Sequence, residues 1–165
     1  MQLAILRNLV HSTNRFTNES EEFVRKIFLK SGLGEETYAP KFVFQLNPEA
    51  NLASAMDESQ QGMFSVLSSL LSKTGIHPSR IDALIVTSGS FTPVPSLSSL
   101  IVNRLKLKPD VKTYNLSGMG CSSGVLSIDL AANLLKHSKE IRYALVVITE
   151  SISLNWYLVI VVPCS

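Results

Sequence analysis

The chain has 165 residues, of which 45% are hydrophobic and 17% charged, and a formal net charge of +2. That length suits one domain or a large piece of one, with enough apolar residues to build a core. The near-neutral balance, without any block of Lys and Arg, argues against a nucleic-acid partner.

The opening MQLAILRNLVHSTNRF carries one short apolar run with Arg7 close behind it. A signal peptide has the reverse order: a basic flank, a longer apolar stretch, then a small-residue cleavage site. No apolar run along the chain reaches the ~20 residues of a membrane-spanning helix. Sequons at Asn18 and Asn115 matter only in a lumenal protein.

Residues 20–29, SEEFVRKIFL, predict a short amphipathic helix with acids in its first turn and an apolar stripe of Phe23, Ile27 and Val24. Two glycines and Pro40 break it, and KFVFQLNP reads as a short strand. From Leu52 to about Thr74 a longer helix is expected, with Met56, Met63, Val66, Leu67, Leu70 and Leu71 largely on one face and Gly75 as its stop. IDALIVTSGS is a continuous apolar run bounded by polar residues, the pattern of a strand buried on both faces. After TPVPS, SLSSLIVNRLKL gives a helix closed by Pro109. VKTYNL gives a second strand, residues 122–136 a helix, and RYALVVITE a third strand. Strand, helix, strand, helix, strand is the order of a parallel α/β sheet.

The junction of VKTYNL and its following helix is the candidate place for chemistry. Cys121 lies beyond Gly118 and Gly120, with Gly124 three residues further on. A helix beginning at Ser122 places Cys121 at its N-terminus, where unpaired amides and the helix dipole favour an anion such as a thiolate. The same amides suit a developing carbonyl oxyanion. Two readings stand: a small buried hydrophobe, which is the usual fate of a lone cysteine, and a nucleophile on a strand-to-helix elbow. The helix after it is apolar nearly all round, which predicts burial on most faces. The second cysteine, Cys164, forms no CxxC or Cys/His cluster with Cys121, so neither a disulfide framework nor a structural zinc site is expected, and a reducing compartment is. None of His11, His77 and His137 supplies a base for Cys121. His137 ends the same helix, about 24 Å away at ~1.5 Å per residue.

SGLGEETY, PSLSSLIVNRLKL, NLSGMGCSSGVLSIDLA and YALVVITESISLNWY resemble plant 3-ketoacyl-CoA synthases, the condensing enzymes of very-long-chain fatty acid elongation. The resemblance runs from about Glu19 to Tyr157. It implies an α/β, thiolase-like fold, of which this chain is the first half of the layered α/β/α/β/α architecture. Residues 1–18 then form a variable segment, 19–157 the half with the nucleophile, and 158–165 a tail foreign to the family. Cys121 becomes the catalytic acyl acceptor, and Gly118, Met119, Gly120 and Ser122 the substrate-binding turn. Acyl-CoA and malonyl-CoA are the implied substrates, with no cofactor and no metal.

Homo-oligomers or elongase-complex subunits are the implied partners, and the endoplasmic reticulum membrane the implied location. The family's membrane-spanning helices have no counterpart in these residues. Its catalytic His and Asn lie in the second half, so the chain as written is expected not to complete a condensation. Ser117 and Ser123 stand where the family usually has Gly and Ala, and TSGS at 87–90 departs from its Asn-Cys-Ser type sequence. The alternative is a non-catalytic fragment that associates with full-length synthases or elongase subunits. A cysteine hydrolase or thiol transferase ranks below both, because it needs a nearby His base.

Overall fold

The computed structural model describes residues 17–33 and 51–151. The strand expected at KFVFQLNP, His11, Cys164 and the 158–165 tail lie outside these residues. Helix α1 spans Asn18–Lys30 and opens on Thr17, whose hydroxyl accepts the Ser20 amide. Helix α2, Leu52–Thr74, starts with a reciprocal cap between Asn51 and Ser54 and ends at Gly75 in the left-handed conformation. Strand β1 (Ala83–Ser88), helix α3 (Leu97–Leu105), strand β2 (Lys112–Ser117), helix α4 (Ser122–His137) and strand β3 (Ala144–Ile148) follow.

The three strands among the described residues are parallel, in the order β2-β1-β3. All six β1 residues are buried, as its unbroken apolar run implies for a central strand. The chain steps from β1 to β2 in one direction and then back across β1 to β3. Right-handed crossovers taken in opposite directions put their helices on opposite faces. The packing follows this rule. Leu97 and Ile101 of α3 join Met63 and Leu67 of α2 over Leu84, Val86, Leu145 and Val147. On the other face, α4 packs against β1 and β3. The loops leaving the carboxyl ends of β1 and β2 therefore lead to helices on opposite faces of the sheet.

Three burial expectations are corrected. Helix α4 was expected to be covered on most faces, but it buries only Ser123, Ser127 and Ala131. Val125, Leu126, Ile128 and Leu135 are exposed among the described residues. A stripe of small residues lets the helix lie close to the sheet, so its large apolar side chains point elsewhere. In α1, Phe23 and Ile27 are exposed and Ser20 is the buried residue. In α2 the stripe divides: Met63 and Leu67 are buried, whereas Val66 and Leu70 are exposed.

Candidate active site

Strand β2 ends at Ser117 and α4 begins at Ser122, so one short turn carries the chain from sheet to helix. Gly118 and Gly120 hold φ of +75° and +52°. A residue with a Cβ resists that region, so these glycines make the tight reversal possible. Cys121 takes the N-cap position with helical backbone angles (φ −64°, ψ −20°) and makes no side-chain cap bond. Its thiol is exposed and not spent on holding its own helix.

The serines beyond Cys121 tie the turn down. Ser122 Oγ donates to the Met119 carbonyl at 2.7 Å, and Ser123 Oγ donates to the Gly120 carbonyl at 2.7 Å. The Ser123 amide donates to the same oxygen at 3.2 Å. Ser123 is buried and fits where the resemblance would have placed alanine, because its hydroxyl has an acceptor one turn back. The structure thus brings Gly118, Met119, Gly120, Cys121 and Ser122 into one turn at the carboxyl end of the sheet.

Neither described histidine reaches that turn. His77 sits before β1, where its Nδ1 lies 2.7 Å from Ser79 Oγ and caps a short 3-10 turn. His137 closes α4, its Nδ1 3.0 Å from the Asn133 carbonyl. No group of three or more His, Cys, Asp or Glu residues suited to a metal ion occurs among the described residues.

Two residues of this region carried no signal in the sequence. Gly89, just past β1, runs against the cysteine turn. A Cβ built on Gly89 would come within 3.1 Å of Gly120 N and Cα and 2.7 Å of Glu150 Oε1. Glu150, just past β3, accepts the Gly89 amide on Oε1 and the Ser90 amide on Oε2, the latter at 2.9 Å. Both partners are some 60 positions away in sequence, beyond any local pattern. On the α3 side of the sheet, a cavity of about 60 Å³ is lined by Val86, Ser88, Phe91, Leu97, Asn115 and Ser117. Ser88 Oγ is buried there without a hydrogen-bond partner among the described residues.

Comparison with known proteins supplies the family context. The family model described as FAE1/Type III polyketide synthase-like protein matches residues 1–159. 3-Ketoacyl-CoA synthase 17 of Arabidopsis thaliana is 46% identical over 142 residues, covering 86% of this chain and 29% of that protein. 3-Ketoacyl-CoA synthase 9 of the same plant is 49% identical over 142 residues, with 86% and 28% covered. The chain therefore spans under a third of the length of these relatives. Among solved structures, 1,3,6,8-tetrahydroxynaphthalene synthase of Streptomyces coelicolor, a type III polyketide synthase, superposes with a TM-score of 0.69 at 18% identity. That match covers 95% of this chain and 44% of the synthase. The type III polyketide synthase domain of Steely1 from Dictyostelium gives a TM-score of 0.66 at 24% identity, with 95% and 45% covered. The fold is thus the thiolase-like α/β fold of these enzymes.

Proposed function

The chain belongs to the FAE1/type III polyketide synthase-like family, and from that premise we propose that it is the nucleophile-bearing portion of a 3-ketoacyl-CoA synthase. Its part in the reaction is acyl capture. Cys121 Sγ bonds to the carbonyl carbon of a long-chain acyl-CoA, and the CoA sulfur leaves with the thiol proton. The amides of the Gly118–Ser122 turn stabilise the oxyanion that forms on the way. In the second step malonyl-CoA loses carbon dioxide, and its carbanion attacks the acyl-cysteine carbonyl; the C–S bond breaks, Cys121 leaves as the thiolate, and a 3-ketoacyl-CoA two carbons longer is released. His77 and His137 are both remote from Cys121, so the groups for that second step come from outside the described residues.

The observation that carries this reading is the exposed Cys121 thiol, held at a helix N-terminus by two left-handed glycines. Incubation of the chain with radiolabelled long-chain acyl-CoA, followed by peptide mapping, tests it. Label on the Cys121 peptide that neutral hydroxylamine removes is the expected result. Label spread over other peptides, or none, contradicts it. Residence at the endoplasmic reticulum membrane belongs to the same proposal. No described helix is long and apolar enough to cross a membrane.

The exposed apolar residues of α4 favour a second reading, in which the chain associates with a full-length synthase or with elongase subunits. Val125 and Ile128 are 72% and 62% exposed, and such side chains side by side seek cover. Retention of a tagged copy on an immobilised full-length synthase is expected. A monodisperse monomer that is not retained contradicts this reading.

A further inference from the structure

Glu150 lies at the centre of a hydrogen-bonded group that holds the loop leaving β1, and that loop packs against the cysteine turn. Its two carboxylate oxygens each accept one backbone amide, from Gly89 and Ser90. Those amides belong to the loop leaving β1. The next residue, Ser151, is fully buried. Its amide donates to Ser90 Oγ at 3.3 Å, and its own hydroxyl donates to Glu58 Oε2 of α2 at 2.7 Å. The ends of β1 and β3 are thereby locked to each other and to α2. Gly89, held by this lock, packs against Gly120 with no room for a side chain.

We propose that Glu150 is a positioning residue for acyl capture: by fixing the β1 loop, it holds the Gly118–Cys121 turn in the geometry that receives the thioester. This rests on the reading of Cys121 as the acyl acceptor. The carboxylate suits the role because charge-assisted bonds to two successive amides fix a loop in both place and direction. It need not touch the substrate. Its influence passes through the contact between Gly89 and Gly120, where the β1 loop forms one wall behind the cysteine turn. Without Glu150 the loop is free to withdraw, and the turn loses that wall. Misplacement on the scale of an ångström is enough to cost on the order of a hundredfold in rate at a catalytic centre.

The test uses the whole chain with Glu150→Ala, Glu150→Gln and, as a control at the far end of the sheet, Asp82→Asn. Two readouts are taken: the backbone amide NMR signals of Gly118, Gly120 and Cys121, and the rate of acyl transfer from long-chain acyl-CoA to Cys121. The expected result is that Glu150→Ala displaces or broadens the turn's amide signals and slows acyl transfer about tenfold or more. Glu150→Gln, which keeps an oxygen acceptor, shows the smaller effect on both. Asp82→Asn loses thermal stability and leaves both readouts as in the parent. Turn signals unchanged in Glu150→Ala overturn the positioning role, whatever the acyl-transfer rate. Should Glu150→Ala fail to fold, the same comparison is made between Glu150→Gln and the parent. A parent chain that accepts no acyl group refutes the acyl-acceptor reading, while the amide signals still decide the role of Glu150.

Discussion

Lys108 Nζ stands 2.7 Å from Asp82 Oδ1 at the amino end of the sheet, the end opposite Cys121. The other oxygen of Asp82 accepts the Arg142 and Tyr143 amides at 2.7 and 3.0 Å. One carboxylate thus joins the start of β1 to the turn before β2 and to the approach to β3. Burial alone would raise the pKa of Asp82. The Lys108 hydrogen bond, the two amides and the Lys108 charge outweigh it and bring the pKa from 3.8 to about 2.

A pH dependence follows from that depression. The group is charged in the folded state at pH values where the unfolded chain is already protonated. Its contribution is complete above the unfolded value and is lost as pH falls through the folded one. The shift corresponds to about 2 kcal/mol. Denaturation curves taken between about pH 5 and pH 2 should show this loss in the parent chain. Asp82→Asn should lack the contribution at neutral pH and give a flatter acid limb. An acid limb of equal slope in both proteins would refute the assignment.

Gly89 and Gly62 should respond to alanine in opposite directions. At Gly89 the new methyl meets Glu150 Oε1 and the Gly120 backbone, so Gly89→Ala should cost about 1–3 kcal/mol and slow acylation of Cys121. Gly62 lies inside α2 with nothing within 4 Å of an added Cβ. Gly62→Ala should therefore stabilise the chain by roughly 0.5–1 kcal/mol. Chemical denaturation of the two variants gives both signs in one experiment.

Gly120→Ala forces a side chain into a backbone region with φ of +52°. A cost of about 1–2 kcal/mol is expected from strain alone, since the site offers open space. Gly120→Asn should be milder, because Asn tolerates the left-handed region better. Equal thermal midpoints for the two variants would contradict the strain argument.

The apolar face of α4 gives a prediction about association. Val125→Lys with Ile128→Glu removes two exposed apolar side chains without touching the buried Ser123, Ser127 and Ala131. Folding stability should change by less than about 1 kcal/mol, while self-association at high concentration falls. Light scattering and thermal unfolding measure the two effects. A large loss of stability would mean that the face is covered within the monomer.

Much of this arrangement was legible in the sequence. The unbroken apolar run Ala83–Val86 announced the central strand, Gly75 the end of α2, and Gly118 and Gly120 the turn before Cys121. What escaped has physical causes. The buried side of α4 is made of Ser123, Ser127 and Ala131, so hydrophobic periodicity pointed to the faces that are exposed. The small stripe was the true signal, since close packing on a sheet needs small residues there. Glu150 and Gly89 meet only because parallel pairing brings the ends of β1 and β3 together. Nothing local in either segment marks that pairing, whereas Cys121 could be found from its immediate neighbours.

The most direct test of the central claim is the intact mass of the chain after exposure to a long-chain acyl-CoA, beside Cys121→Ser. The account predicts a gain of one acyl group in the parent chain and none in the variant. No gain in a folded parent chain, or the same gain in Cys121→Ser, would contradict it.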